Sequence, residues 1–191
     1  MAKTDRDGLM SRRAALGMIG GGAVLAASPS FAAAPAVQRG AGAYRAVSLT
    51  SSRLGERLST VYWADGSYIP EALEEISYLL RDWRQNAVMP YDPRAIDVIS
   101  AMTRMLDIST PVEIVSGYRS KTTNDMLRSR SRGVAKNSYH IRAMAVDLRV
   151  EGRSVRQIAG AAEALKGGGV GRYTRSNFVH VDSGPLRSWG R

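Results

Sequence analysis

The spacing of apolar residues along the chain predicts strands followed by helices in its first half. Residues 44–63 are rich in β-branched and aromatic side chains and Gly55 marks a turn, so two short strands are predicted there. Over residues 70–83 the apolar positions recur at spacings of three and four, which predicts an amphipathic helix starting at a proline. A second helix is predicted over residues 93–106, with Asp92 as its N-cap.

The second half of the chain alternates strands with helices. Short strands are predicted at residues 112–115, 143–150 and 177–182. Helices are predicted at residues 121–131 and 154–165, and a run of glycines ends the second of them. The late strands suit an antiparallel sheet, so the predicted fold class is α+β, with a small antiparallel sheet and flanking helices.

The N-terminal segment predicts an export signal that is not part of the folded domain. A polar stretch ends in Arg12 and Arg13, and an apolar run follows it. Ser30 and Ala32 are small residues at the positions that a signal peptidase requires. The paired arginines resemble a twin-arginine signal. The apolar run at residues 14–27 is short and rich in glycine for a spanning helix, although an uncleaved membrane anchor is the alternative.

These signals divide the chain into three parts. Residues 1–32 are the predicted signal peptide, residues 33–43 a linker rich in alanine, glycine and proline, and residues 44–191 the folded domain. The mature form is expected to carry no transmembrane segment and to act in the periplasm.

The composition limits the chemistry of the site and the choice of partner. The 191 residues include no cysteine, so disulfides and thiolate metal sites are excluded, and any metal must be held by His, Asp, Glu or water. The formal net charge of +10 attracts polyanions such as nucleic acid or an anionic cell-wall polymer. Because an exported domain does not meet nucleic acid, the cell wall is the predicted partner.

The chain contains only two histidines, and each lies in a strand-like segment near an aspartate. Side chains alternate across a strand, so Asp147 is expected on the face opposite Val146, and His180 on the face opposite Val181. If the two strands pair, His180 and Asp147 share a face, and His140 can complete a set of three ligands. Two imidazoles and a carboxylate suit zinc and leave a fourth position for water. The alternative is two ordinary, partly buried histidines.

Short motifs occur in a fixed order in the second half of the chain. They are Ser116-Gly117-Tyr118-Arg119-Ser120 with Asn124, Ser138-Tyr139-His140, Ala145-Val146-Asp147, Gly169-Val170-Gly171-Arg172-Tyr173, and Phe178-Val179-His180-Val181-Asp182-Ser183-Gly184-Pro185 with Arg187 and Trp189. Together they resemble the zinc D-alanyl-D-alanine peptidase family, which shares its fold with the hedgehog signalling domain, and within it a branch of murein endopeptidases. The resemblance covers residues 45–191 and implies that His140, Asp147 and His180 bind Zn²⁺.

The resemblance also implies roles for residues around the zinc. Arg119 matches the family's motif arginine, and its guanidinium could polarise the scissile carbonyl or hold a substrate carboxylate. A structural ion pair is the alternative for Arg119. Ser116 and Ser138 are expected to support the site or bind substrate, although Ser138 is equally consistent with a turn.

Two positions depart from the family's pattern. Ala143 stands where relatives often have glycine. Many relatives carry a glutamate or aspartate three residues before the last zinc histidine, and this chain has Asn177, whose amide cannot take a proton from water. The predicted catalytic substitute is Asp182, two residues after His180 and on the same strand face. The alternatives are that Asp182 orients His180, or that it takes no part in the site.

The predicted function is that of a zinc metallopeptidase, of the murein endopeptidase or D,D-carboxypeptidase type, in which zinc-bound water attacks a peptide carbonyl of peptidoglycan. A non-catalytic, zinc-containing module that binds the cell wall is the alternative, and an envelope protein that binds another polyanion is the third hypothesis. The expected assembly state is a monomer. The basic residues at 128–132 are either a solvated surface or a means of holding stem-peptide carboxylates.

Overall fold

The computed structural model describes residues 43–131 and 133–190 of the chain. The predicted signal peptide at residues 1–32, and all but the last residue of the predicted linker, lie outside the described residues. Within the described ranges, no helix combines the length and the apolar character that crossing a membrane requires.

Four α-helices flank the sheet in the described part of the chain. They are α1 (Pro70–Leu79), α2 (Pro93–Met105), α3 (Lys121–Arg130) and α4 (Val155–Leu165). Local caps fix their starts, since the Asp92 side chain accepts from the first turn of α2, and Ser154 with Gln157 forms a capping box on α4. Helix α1 ends at Leu79 and not at residue 83, because the chain turns back and Asp82 pairs with Ala87 through backbone hydrogen bonds of 2.9 and 3.2 Å.

The strands of the described residues form one sheet. They are β1 (Tyr44–Ser51), β2 (Glu56–Ala64), β3 (Ser67–Tyr68), β4 (Val112–Ser116), β5 (Ala145–Arg149), β6 (Gly169–Tyr173), β7 (Phe178–Asp182) and β8 (Arg187–Gly190). Their order across the sheet is β3-β2-β1-β4-β5-β7-β6-β8. The predicted α+β class is confirmed. The sheet is larger than predicted, and the pairs β1–β4 and β6–β8 are parallel. Between the two strands of each pair the chain passes through an antiparallel strand of the same sheet, β2 or β7, and so reverses direction before the second strand begins.

The hydrophobic core lies between one face of the sheet and the helices, and it fixes the two strands that carry the candidate ligands. Val146 and Leu148 of β5 and Val179 and Val181 of β7 are completely buried in it. Each such side chain contributes about 1.5–3 kcal/mol by leaving water. Since side chains alternate, the polar residues between these anchors lie on the opposite face.

Candidate metal centre

The central pair of strands, β5 and β7, brings two of the predicted ligands together. The strands are antiparallel, and Asp147 lies directly opposite His180, just as Val146 lies opposite Val181. Directly opposed residues on one face have Cβ atoms about 5 Å apart. The predicted sharing of a face by His180 and Asp147 is therefore confirmed.

His140 comes from a short 3-10 turn, Tyr139–Arg142, that leads into β5. The Ser138 hydroxyl accepts a hydrogen bond from the backbone N–H of His140 at 3.3 Å and so begins the turn. Ala143 ends it in the left-handed region with φ 51°, a conformation that glycine adopts most easily. The Nδ1–H of His140 donates to the carbonyl oxygen of Gly117 at 2.7 Å, which leaves Nε2 as the free acceptor.

The three candidate ligand atoms converge on one point. His140 Nε2 lies 3.2 Å from Asp147 Oδ1 and 3.2 Å from His180 Nδ1, and the last two atoms are 2.8 Å apart. The opposite nitrogens of the two rings are hydrogen-bonded to a carbonyl and to the Asp182 carboxylate, so the converging nitrogens carry lone pairs. Two lone pairs beside a carboxylate oxygen fit a divalent cation such as zinc. No other such group of three occurs in the described ranges.

Burial and mutual contact set the charge states of these residues. Burial lowers the pKa of His140 and favours the neutral imidazole. Burial alone would raise the pKa of Asp147, but the two imidazoles outweigh it and hold that pKa well below its usual range. Burial would lower the pKa of His180, but hydrogen bonds with Asp147 and Asp182 raise it. The imidazole of His180 is therefore more basic than that of His140.

Asp182 supports His180 and is itself enclosed. Its Oδ2 accepts from His180 Nε2 at 2.9 Å and from the Arg187 guanidinium at 2.6 Å. Its Oδ1 accepts from the backbone N–H groups of Gly169 and Gly184 at 3.1 and 2.9 Å, and again from Arg187. Burial opposes ionisation, but these donors lower the pKa of Asp182 to about 2. A carboxylate so enclosed is poorly placed to take a proton from water, so its contacts favour the alternative of orienting His180.

Arg187 and Trp189 of β8 form one wall of the site. The Arg187 guanidinium lies 4.8 Å from the centroid of the Tyr139 ring and 5.0 Å from that of Trp189. The Trp189 ring lies 5.2 Å from the His180 ring, and its Nε1–H donates to the Tyr173 hydroxyl at 3.0 Å. Strand β8 thus both holds Asp182, through Arg187, and covers His180 with the Trp189 ring.

Strands β6 and β8, which build this wall, are not among the strands predicted from the sequence. In the parallel register Gly169 lies opposite Arg187, and Gly171 opposite Trp189. A Cβ on Gly169 would lie 2.5 Å from the Arg187 guanidinium, and one on Gly171 would lie 2.5 Å from the indole. The glycines leave room for these side chains, but they also remove the alternating apolar pattern that predicts a strand. One signal for these strands was present in the sequence: Gly169 and Gly171 have the same spacing as their large partners, Arg187 and Trp189.

Arg119 lies in the turn after β4. Its Nη2 donates to Asp147 Oδ2, and its Nε donates to the Ser116 hydroxyl at 2.9 Å. Its backbone N–H donates to the His140 carbonyl at 3.2 Å. Arg119 lines the cavity above the ligands. Ser116 contacts Arg119 but does not itself line that cavity. Ser138 both caps its turn and borders the cavity.

A cavity of about 500 Å³ opens over the three ligands. Its aromatic lining residues are Tyr139, Tyr173, Phe178 and Trp189. Parts of the loop between Ser131 and Ser138 form its rim, and the Asn124 amide tethers this loop by donating to the Ala135 carbonyl at 3.2 Å. Among the described residues that line the cavity, Asp147 carries the only carboxylate.

Asn177 does not line this cavity. It is exposed, and it follows the 3-10 turn Thr174–Ser176 in the left-handed region with φ 50°, which asparagine tolerates. Its carbonyl accepts from Arg149 Nε at 2.6 Å, and the residue lines a separate cavity that also contains Glu113. Position 177, where many relatives have an acid, therefore lies in a turn beside β7 and outside the residues that line the ligand cavity.

The fold and the site define a class, an α+β domain whose buried two-histidine, one-aspartate centre lies under an open cavity, as in metal-dependent hydrolases. Residues 39–189 match the family described as peptidoglycan L,D-endopeptidase MepK, and the chain belongs to this family. It is 39% identical over 175 residues to the peptidoglycan L,D-endopeptidase MepK of Escherichia coli K12, which is 92% of this chain and 93% of that protein.

A second relative extends the comparison to another organism. The chain is 41% identical over 146 residues to the probable peptidoglycan L,D-endopeptidase MepK of Haemophilus influenzae, covering 76% of this chain and 78% of the relative. The predicted membership of a peptidase family is confirmed at this level.

Proposed function

We propose that the chain is a zinc-dependent endopeptidase that cleaves an L,D amide bond in the peptide part of peptidoglycan. The observation that carries the proposal is the convergence of three buried donor atoms, from His140, Asp147 and His180, beneath an open cavity. Membership of the family supports the reaction class. Two relatives, each matched over most of its length and each named for this activity, support the substrate class.

The three residues would hold the metal, and the groups behind them would keep it in place. Zinc, when bound, supplies a Lewis acid that polarises a carbonyl and lowers the pKa of water to about 7. The Gly117 carbonyl and the Asp182 carboxylate fix the tautomers of His140 and His180, so that both lone pairs stay directed at the metal. In this proposal Asp182 is a positioning residue and not the general base.

Arg119 is the residue to which we assign substrate binding and transition-state stabilisation. Its guanidinium lies at the cavity beside Asp147, where its charge would stabilise negative charge developing on the carbonyl oxygen of the bond being cut. The Ser116 hydroxyl holds the guanidinium in this position. Ser138 would contribute to substrate binding at the rim, in addition to shaping the turn that carries His140.

The location of the enzyme follows from its substrate and from the N-terminal sequence. We propose that the twin-arginine segment directs the chain to the periplasm, where it acts as a monomer on the wall and not on nucleic acid. Replacing Arg12 and Arg13 by lysine should leave uncut precursor in the cytoplasm. Processing that is unchanged in this variant would exclude the twin-arginine route.

The test of the activity is the digestion of purified murein, with the released muropeptides identified by mass. The mature enzyme with one zinc per chain should release peptides cut at an L,D bond, and removal of zinc should stop the release. His180→Ala is the matched inactive variant, because it removes one metal ligand while Asp182 keeps its hydrogen bonds to Arg187. Products that are the same with and without zinc would contradict the proposal.

A second candidate function is a zinc-containing module that binds the wall without cutting it. The observation that favours it is the cavity lining, in which Asp147, a candidate ligand, is the only carboxylate among the described residues. The same digestion separates the two functions. One zinc per chain together with murein binding and no released peptides would support the module.

A further inference from the structure

We infer that an exposed cluster of Trp83 with Arg53 and Arg84, the arginine platform, binds free carboxylates of the peptidoglycan peptide outside the bond that is cut. The inference rests on the proposed function, because the substrate class comes from there. It adds a second binding surface next to the catalytic cavity. None of these three residues lines that cavity.

Two guanidinium groups share one indole in this cluster. The Arg53 guanidinium lies 4.6 Å from the ring centroid of Trp83, and that of Arg84 lies 4.2 Å from it. Both arginines are exposed, and Trp83 retains 38% of its accessible surface. A guanidinium on an aromatic face keeps its N–H edges free, and these edges match a carboxylate by two parallel hydrogen bonds.

Nearby acids compensate the charge of the arginine platform only in part, because their oxygens are already bonded to other groups. Glu56 is already paired with Arg81, whose guanidinium donates hydrogen bonds of 2.8 and 2.7 Å to its carboxylate. Asp82 is buried, and its oxygens accept from the backbone N–H groups of Arg84 and Ser120 at 3.0 and 2.9 Å.

Within the described ranges, Arg53 and Arg84 form no ion pair with an acid. Partial burial, and then repulsion from Arg53, lowers the pKa of Arg84, although the charge of Asp82 opposes the change. A carboxylate bound here would relieve that repulsion.

The arginine platform is attached directly to the wall of the catalytic site. Asp82, beside Trp83, holds the N–H of Ser120, the residue after Arg119. The Leu80 carbonyl accepts from the N–H of Tyr118 at 2.7 Å. The turn at residues 80–84 is thus bonded to the segment that carries Arg119 and the carbonyl that orients His140. In this inference a substrate held at the zinc extends on to the platform, and the anion bound there is a carboxylate of the same peptide.

The first test separates binding from chemistry. Murein digestion by Arg53→Gln, Arg84→Gln and the double variant should show KM raised about threefold for each change and about tenfold for both, with kcat within about twofold of wild type. Arg84→Lys should recover only part of the loss, because lysine does not present a planar edge. Arg156→Gln, an exposed change on α4 away from the cluster, is the matched control. A KM for the double variant equal to that of the control would overturn the inference.

The second test changes the substrate and requires no cleavage. Wild type and double variant are sedimented with murein sacculi, and with sacculi whose carboxyl groups have been converted to amides. Amidation should weaken binding of the wild type and leave the already weakened variant unchanged. Equal weakening of both proteins, or retention on phosphatidylglycerol vesicles in place of murein, would overturn the platform as a carboxylate site. Murein that the wild type binds but does not cut would overturn the proposed function alone.

Discussion

The two imidazoles of the candidate metal centre are oriented by different kinds of support. His140 donates to a neutral backbone carbonyl, that of Gly117, in the turn after β4. His180 bonds to a carboxylate, that of Asp182, which Arg187 holds in turn. One support is therefore built by the packing of backbone against backbone, and the other by charge.

Because the two supports differ, different changes would remove the orientation of His140 and of His180. The carbonyl support needs the backbone at position 117 to lie against Leu80, which leaves no space for a side chain. The carboxylate support depends on ionised Asp182 and on the groups that donate to it. A carboxylate behind an imidazole also raises the basicity of that ligand. The site thus combines a sterically fixed ligand with an electrostatically strengthened one.

The largest effect is expected when the steric support is broken by Gly117→Ala. A Cβ there would lie 2.2 Å from the carbonyl oxygen of Leu80, and backbone cannot rotate away as a side chain can. We expect the free energy of unfolding to fall by about 3 kcal/mol and zinc affinity to fall about 100-fold. Thermal unfolding and competition with a zinc chelator measure the two effects.

Gly160→Ala provides the control for that change. Gly160 lies in helix α4, and a Cβ added there would meet no atom within 4 Å, so the alanine should stabilise the helix by about 0.5–1 kcal/mol. If Gly117→Ala behaves like this control, the carbonyl support does not depend on close packing.

The electrostatic support is broken by Asp182→Asn, for which a smaller effect is expected. The amide oxygen can still accept from His180 Nε2, but the charge is lost and the NH2 group would face the N–H donors of Gly169, Gly184 and Arg187, so zinc affinity should fall about tenfold to 100-fold. The two roles left open for Asp182 predict different rates at saturating zinc. A positioning residue leaves most of kcat, whereas loss of a general base lowers kcat about 100-fold or more even when every site holds zinc.

Arg187→Gln tests the outer part of the same support. Asp182 Oδ1 would keep the N–H groups of Gly169 and Gly184, so zinc affinity should fall only about threefold, and Arg187→Lys should recover part of it. Chelator competition on the three proteins measures the series. An effect as large as that of Asp182→Asn would mean that the arginine, and not the glycine N–H groups, holds the carboxylate.

The smallest effect is expected outside both supports, from Asn177→Asp. The side chain is exposed and lies in a different cavity from the ligands, so kcat/KM should stay within about twofold of wild type. Steady-state digestion of a soluble muropeptide measures it. A gain of about tenfold or more would show that a carboxylate at this position reaches the reacting groups after all.

Sequence alone predicted the ligand face of the site, because alternation along a strand is strict. Val146 and Val181 had to be buried, and this placed Asp147 and His180 on the same side once the strands paired. The support of His140 could not be predicted, since the Gly117 carbonyl carries no side-chain signal.

The wall formed by β8 could not be predicted either. Its partners on β6 are glycines, so the feature that makes room for Arg187 and Trp189 also removes the strand pattern. The sequence also does not indicate that Asn177 lies in a left-handed turn outside the ligand cavity, because the direction of that turn is set by the tertiary structure.

The most direct test of the zinc centre is anomalous diffraction at the zinc absorption edge from crystals of the mature protein. We expect one peak, within about 2.0–2.2 Å of His140 Nε2, Asp147 Oδ1 and His180 Nδ1. Crystals grown with zinc that show no peak among these three atoms, or show the metal bound elsewhere, would contradict it.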